Sequence, residues 1–340
     1  MDHERKRARE IGLTFGPYPT GRHNAITDVT GIRVGHCTLA EGDAIRTGVT
    51  AVVPDAVGRA GGSLPAGLFV GNGYGKLTGA TQLAELGQIE TPVVLTGTLS
   101  AFRAADALVT YMLALSGNEG MISVNPVVGE TNDGYLSDIG ARPVSERHVL
   151  AALSDAHDGP VAEGAAGAGT GTSALGFKAG IGTASRRLRL AGEQPCTLGV
   201  LVQSNFSGLL TVRGVPIAPG GAALSGANSC MIVVAIDHGL DSRQLTRVAR
   251  RAVFAMGRTG ANFAGSSGDY AIAVATVAGR PVAESALEPV FGAVQDAVEE
   301  AILNSLFMAT TTTGYQGHVS HAVPLDLVIR ACRHAGVLSS

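Results

Sequence analysis

The 340-residue chain has no tryptophan, and Phe and Tyr together make up only 4% of it. A core with so few large rings must be built from closely packed Ala, Val, Leu and Ile. Cysteine is sparse. Cys37, Cys196, Cys230 and Cys332 are widely spaced and no CxxC pair occurs, which argues against a zinc knuckle or a redox motif. Free buried thiols in a reducing cytoplasm are the simplest reading. Charge is low at 16%, and 25 Lys and Arg face 28 Asp and Glu, for a net charge of −3. That balance speaks against a general nucleic-acid partner or an anionic membrane surface. No apolar run reaches the roughly 18 residues of a membrane span. The opening "MDHERKRAREIGL" lacks the apolar centre of a secretory signal, so the expected compartment is the cytoplasm.

Several motifs are also missing. The phosphate-loop pattern GxxxxGK[ST] and the esterase elbow GxSxG do not occur. "GNGYGKLTG" (71–79) and "GAAGAGTG" (164–171) are glycine-rich but lack GxGxxG spacing after a strand, and read as structural turns. His318 and His321 in "HVSH" have no carboxylate or Cys at ligand spacing, so a loop pair with local hydrogen bonds is favoured over a metal site. Arg243, Arg247, Arg250 and Arg251 share one helix and read as a solvated face or a subunit contact.

Glycine is abundant, with 47 residues, about twice the usual share of roughly 7%. Strand-like runs occupy 31–39, 47–55, 92–99, 120–128, 197–206, 230–237 and 269–279. Several are apolar throughout, as in strands covered on both faces. Helical patterns lie at 99–115, 241–257 and 287–307. In the second, Leu245, Val248, Ala249, Ala252, Val253 and Met256 form a stripe, with Asp241 as N-cap and Gly257 at C′. Pro289 suits the first turn of the third. The fold class is mixed α and β in a single domain over 1–340: a large buried sheet covered by helices on both sides. The Ala/Gly-rich stretch 162–182 reads as small-residue packing, or a loop and tight strand.

One short stretch raises a chemical question. In "GANSCMIVVAID" (226–237) a small polar turn stands directly before an unbroken apolar strand. Asn and Ser are ordinary turn residues, and from the dipeptide alone that reading leads. The sharper reading makes Ser229 a nucleophile created by backbone cleavage. Its hydroxyl attacks the carbonyl of Asn228, an ester replaces the amide, and water releases chains 1–228 and 229–340. Ser229 then carries a free α-amine, whose unperturbed pKa of about 7.7–8.0 lets it accept the hydroxyl proton itself.

The segment "NSCMIVVAIDHGLDSRQLTRVARRAVFAMGRTGANFAGSSGDYAIAVAT" (228–276) resembles the self-processing region of the DmpA-type aminopeptidases. That family includes L-aminopeptidase/D-esterase/amidase enzymes and β-peptidyl aminopeptidases. "NAITDVTGIRVGH" (24–36), "SVNPVVGETNDGYLSD" (123–138), "VLVQSNFSG" (200–208) and "TTTGYQGHVSHAVPLD" (311–326) resemble family segments in the same order. The resemblance covers nearly the whole chain and favours the sharper reading. It implies an αββα sandwich like that of N-terminal nucleophile hydrolases, of the type shared with ornithine acetyltransferases. It also implies a precursor cut into two chains, commonly assembled as four such pairs, with no metal and no organic cofactor.

Carried over residue by residue, Ser229 matches the nucleophile and Asn228 the other side of the cut. Ser267 and Asp269 in "SSGDY" match the Ser-Gly-acid motif, where some members have Glu in place of Asp269; spacing favours Ser267 over Ser266. There the Ser267 hydroxyl would bond the α-amine or Ser229 Oγ while Asp269 orients it. Asn205 in "VQSNF" matches an oxyanion-side asparagine, and Tyr135 in "NDGYL" a tyrosine lining the site. Glu130 resembles a carboxylate that receives the substrate ammonium. The expected activity is a self-cleaving serine aminopeptidase acting on short peptides, amides or esters. The alternatives are an acyltransferase of the ornithine acetyltransferase type, which normally uses Thr, and a non-catalytic binding protein.

Overall fold

A computed structural model describes residues 4–58, 61–190, 195–219, 228–279 and 281–339. Along the described chain, nine strands longer than two residues form. They are β1 (Ile32–Glu41), β2 (Ile45–Pro54), β3 (Leu64–Gly73), β4 (Val93–Gly97), β5 (Val127–Thr131), β6 (Ile181–Arg189), β7 (Pro195–Asn205), β8 (Asn228–Ile236) and β9 (Ser267–Ala275). The helices are α1 (Ala80–Leu86), α2 (Ala101–Ala114), α3 (Glu146–Ser154), α4 (Ser242–Met256), α5 (Glu288–Phe307) and α6 (Leu325–His334).

The strands make two sheets where residue patterning alone suggested one. The first has order β1-β2-β4-β5. The second starts with the two-residue strand Gln88–Ile89 and continues β3-β9-β8-β7-β6. A strand buried on both faces reads the same whether its second face meets a helix or another sheet, so periodicity could not separate the two cases. Three apolar clusters fill the spaces between four layers. One lies between α4/α5 and the six-stranded sheet, one between the sheets, and one between the four-stranded sheet and α2/α3. The αββα sandwich implied by the family resemblance is therefore the observed fold.

Strand β8 shows how the layers divide its side chains. Cys230, Ile232, Val234 and Ile236 pack toward Leu245, Val248 and Ala252 of α4. Met231, Val233 and Ala235 point the other way, into the space shared with Val93, Leu95 and Val127. The period of two fixes that Ser229 lies on the inter-sheet face. β8 pairs antiparallel with β7 and parallel with β9, so it is central, and α4 makes the β8–β9 crossover.

Helix α4 starts as its sequence predicts. Asp241 accepts from Gln244 N at 2.7 Å, and the Gln244 side chain accepts in return from Asp241 N. Gly257, expected at C′ in the left-handed region, has φ −60°. The chain continues into a 3-10 turn, and the left-handed residue is Gly260 at φ 96°. In the run 120–128 only the end is strand, within β5. Two strands were not anticipated, β3 ("LPAGLFVGNG"), whose three glycines dilute its strand signal, and β6 ("IGTASRRLR"), where Gly182 and a run of small and charged residues do so. Those glycines let helices lie directly on the sheet. A Cβ at Gly67 would stand 2.1 Å from Thr246 N of α4, and one at Gly182 would stand 1.9 Å from Ala301 O of α5. No described helix is long and apolar enough to cross a membrane.

Candidate active site

The site residues gather where β7 ends and β8 and β9 begin. Asn228 and Ser229, expected in an exposed turn, are the first two residues of β8, and Ser229 is 3% exposed. Gly226 and Ala227 of that expected turn lie outside the described residues. Pairing extends the strand this far: Ser229 stands opposite Asn205 on β7 and Gly268 on β9, and Asn228 opposite Ser267. The Ser229 hydroxyl donates to the carbonyl oxygen of Asn228. The candidate nucleophile thus rests against the peptide group that it would attack.

Directly opposed residues of an antiparallel pair project to the same face, so Asn205 shares the inter-sheet face with Ser229, their Cβ atoms about 5 Å apart. The Asn205 amide has a defined orientation. Its Oδ1 accepts from Ser173 N at 3.1 Å, and its Nδ2 donates to Asn132 O at 2.8 Å. A carbonyl can only accept and a backbone N–H can only donate, so the nitrogen end is the one turned toward Asn132.

Ser267 and Asp269 lie on the opposite, helix-facing side of the same sheet edge. Ser267 is 1% exposed and its hydroxyl donates to Asp269 Oδ1 at 2.7 Å, while Ser266 is exposed. Asn72 of β3 donates to Asp269 Oδ2 at 3.0 Å and to Ala264 O at 3.3 Å. In the uncut chain Ser267 therefore bonds Asp269, and side-chain alternation puts it across the strand plane from Ser229 Oγ. Burial pushes the Asp269 carboxyl up, and the hydrogen bonds from Ser267 and Asn72 pull it back in part. Burial also pushes up the neighbouring Cys230 thiol, with the Asp269 charge adding to the effect. Cys230 is thereby kept a neutral core residue.

Glu130 and Tyr135 come from β5 and the loop that follows it. Glu130 is 2% exposed. One oxygen, Oε1, accepts from Lys76 N at 2.9 Å and lies 3.6 Å from Lys76 Nζ; the other, Oε2, is buried without a hydrogen-bond partner. Gly75 makes room here, because a Cβ on it would stand 3.1 Å from both Glu130 Oε1 and the Tyr270 hydroxyl. Burial, then Glu130, then Asp269 push the Tyr270 phenol up. The half-buried Tyr135 donates to Val319 O at 3.4 Å, a long hydrogen bond that leaves the hydroxyl loosely held.

Two further buried groups underlie the loops that hold Asn205 and Tyr135. Lys178 donates to the carbonyls of Gly169, Thr172 and Ala179, and burial lowers its pKa to about 7. Asp133, between Asn132 and Tyr135, is raised by burial to about 6, although Thr47 and Lys178 oppose the shift. Sequence reading missed Asn72, Asn132, Ser173, Lys178 and Asp133. Asn132 and Asp133 stood inside the quoted segment 123–138, Asn72 inside "GNGYGKLTG", and Ser173 and Lys178 inside the Ala/Gly-rich stretch 162–182, but none carries a local pattern that marks it as functional. Among the described residues no group of three His, Cys, Asp or Glu could hold a metal.

Comparison with known proteins gives the family and the fold. The model of peptidase family S58 matches residues 24–320. The β-peptidyl aminopeptidase BapA of Sphingosinicella xenopeptidilytica is 36% identical over 365 residues, covering 95% of this chain and 90% of that protein. The structure of a Burkholderia sp. β-aminopeptidase superposes with a TM-score of 0.90 at 37% identity, covering 97% of this chain and 99% of that one. The L-aminopeptidase D-Ala-esterase/amidase of Ochrobactrum anthropi superposes with a TM-score of 0.88 at 34% identity, covering 98% of this chain and 99% of that one. It is described as a prototype for the serine aminopeptidases and a variant of the Ntn hydrolase fold.

Proposed function

The chain belongs to peptidase family S58 and is a hydrolase of the aminopeptidase kind, and on that premise we propose that Ser229 is its self-generated N-terminal nucleophile. The observation that carries this reading is the Ser229 hydroxyl resting on the carbonyl of Asn228, with Asn205 opposite.

In the first reaction Ser229 Oγ adds to the Asn228 carbonyl carbon, and the bond from that carbon to the Ser229 nitrogen breaks. The hydroxyl proton ends on the departing nitrogen. Water then cleaves the ester, leaving a carboxylate on Asn228 and a hydroxyl and amine on Ser229. The products are a larger chain, 1–228, and a smaller one, 229–340. The new amine lies in the plane of the sheet, between its two faces. Ser229 Oγ reaches it from one face, and the Ser267 hydroxyl, held by Asp269, from the other. A raised carboxyl pKa reflects a charge that burial disfavours, and an ammonium forming nearby relieves that cost.

In the second reaction the Ser229 amine takes the hydroxyl proton as Oγ attacks a substrate carbonyl. Asn205 Nδ2 and the Tyr135 hydroxyl donate to the oxyanion that develops. The ammonium returns its proton to the leaving group, and water hydrolyses the acyl-enzyme. Glu130 Oε2 supplies the counter-charge for the ammonium of a free N-terminal residue. The similar proteins are named as a β-peptidyl aminopeptidase and an L-aminopeptidase D-Ala-esterase/amidase, so the substrate class proposed here is short peptides, amides or esters with a free terminal amine. A cytoplasmic location, where free thiols stay reduced, and assembly as four pairs of larger and smaller chain belong to the same proposal.

The test uses β-alanyl, L-alanyl and D-alanyl p-nitroanilides, each free and N-acetylated. At least one free-amine substrate should be cleaved and its acetylated form should not. Equal cleavage of free and acetylated forms would contradict selection of the terminal ammonium.

A further inference from the structure

The motif "HVSH" has a place at this site that its sequence did not suggest. The His318 ring stacks on the Tyr135 ring, with centroids 4.6 Å apart and planes 4° apart. His318 Nδ1 lies 2.8 Å from the Tyr135 carbonyl oxygen. That oxygen can only accept, so Nδ1 carries a proton and the tautomer is fixed. The next residue, Val319, accepts from the Tyr135 hydroxyl. The one after it, Ser320, is fully buried and accepts from Ser173 Oγ at 2.8 Å, and Ser173 N donates to Asn205 Oδ1. Three consecutive residues thus touch, directly or through one neighbour, both groups assigned to the oxyanion.

The segment is itself anchored. Tyr315 N donates to Leu136 O at 2.8 Å, and Gly314 N donates to His318 O at 2.9 Å. Gly314 allows this approach, since a Cβ there would stand 2.1 Å from Leu136 O. Arg46 Nε donates to Thr313 O at 3.0 Å. The clasp lies C-terminal to residue 229, whereas Tyr135 and Asn205 lie N-terminal to residue 228. After a cut between them, nucleophile and clasp would share the smaller chain, and both donors would sit on the larger one.

We propose that His318 is a positioning residue: it holds Tyr135 by ring stacking and by the bond to its carbonyl, and so aligns an oxyanion donor of the larger chain with the nucleophile of the smaller. This deepens the proposed function and rests on the assignment of Tyr135 as a donor. A loosely bonded hydroxyl needs its ring fixed by other means, and the stack with His318 supplies them. Misplacement of a catalytic group by about 1 Å can cost roughly 100-fold in rate.

The experiment measures kcat and KM of the processed enzyme for His318→Ala, His318→Asn and His318→Phe, alone and combined with Tyr135→Phe. Asn replaces the Nδ1 donor, and Phe replaces the stacking face. His318→Ala should lower kcat on the order of 10- to 100-fold with KM nearly unchanged, and Asn and Phe should each restore part of the loss. In the Tyr135→Phe background, where the hydroxyl is already gone, His318→Ala should cost less than half that factor. Ser320→Ala, which removes the bond to Ser173, should lower kcat independently of Tyr135. A kcat within twofold of the parent in His318→Ala, or an equal loss in both backgrounds, would overturn the inference. An unchanged kcat in Tyr135→Phe alone would instead overturn the donor assignment beneath it. If the Ala variant does not fold, the Asn and Phe variants carry the same comparison.

Discussion

Two regions of this molecule bury polar and charged groups, and they treat them differently. Along α5, Glu300 is fully buried and both of its oxygens are met, by Arg9, Arg186 and Asn24. Glu299, one residue earlier, is gripped by Arg213 through two bonds and approached by Arg258. Around the start of β8 the groups are only partly met. Glu130 Oε2, Asp133 Oδ2 and Gln203 Oε1 are buried without partners, and the Asp269 carboxyl is pushed up. On α5 the carboxylate oxygens of Glu300 are all met, although Arg186 Nε beside them is buried without a partner; a carboxylate met in full holds a structure together, and one left partly unmet keeps capacity for a substrate. The acids of α5 belong to the first kind. They join the smaller segment, 229–340, to arginines of the larger one, and so would hold the two chains together after a cut.

Breaking each region should give different symptoms. The largest effect is expected for Ser229→Ala, which should abolish processing and lower activity on the order of 10⁶-fold, measured by steady-state kinetics. Glu300→Gln keeps the shape of the side chain but leaves Arg186, which is fully buried, without its counter-charge. Chemical denaturation should show a loss of about 3–5 kcal/mol, with kcat per folded molecule unchanged. A matching fall in kcat would remove the distinction drawn between the regions. Asn205→Ala should reduce kcat roughly 100- to 1000-fold, about 3–4 kcal/mol of transition-state stabilisation, with a melting temperature that changes little.

The smallest effect concerns His36, which belongs to neither region. Burial lowers its pKa from 6.5 to about 4, the Asp155 charge opposing the shift. Between those values the unfolded chain binds a proton that the folded chain refuses. Stability should therefore fall as pH drops from about 6.5 to 4. His36→Gln should flatten that part of a melting-temperature profile, and an unchanged profile would refute the assignment.

The sequence disclosed the site unevenly, and the reason is physical. Ser229 was visible because a polar pair stands hard against an apolar strand, and the ordered family-like segments gave that contrast a meaning. Helix α4 was visible because its cap and stripe are local, and α5 because Pro289 marks its first turn and its apolar residues recur at helical spacing, although α5 has no side-chain cap. Strands β3 and β6 were hidden by the glycines that admit α4 and α5 to the sheet, a requirement set by residues far away in sequence. Asn72 and His318 were hidden for a related reason. Asn72 lies 197 residues from Asp269 and His318 183 residues from Tyr135, so only the fold brings them together. "HVSH" was expected to make local hydrogen bonds, but the His318 ring bonds the distant Tyr135 carbonyl and stacks on the Tyr135 ring, contacts that have no sequence signature. The count of sheets could not be read from strands buried on both faces.

The central claim is that the chain makes its own nucleophile by cutting between Asn228 and Ser229. Intact-mass measurement under denaturing conditions, on the purified protein beside Ser229→Ala, tests it most directly. Two masses matching 1–228 and 229–340 are expected for the native sequence and one uncut mass for the variant. A single full-length mass from a preparation that is fully active would contradict it.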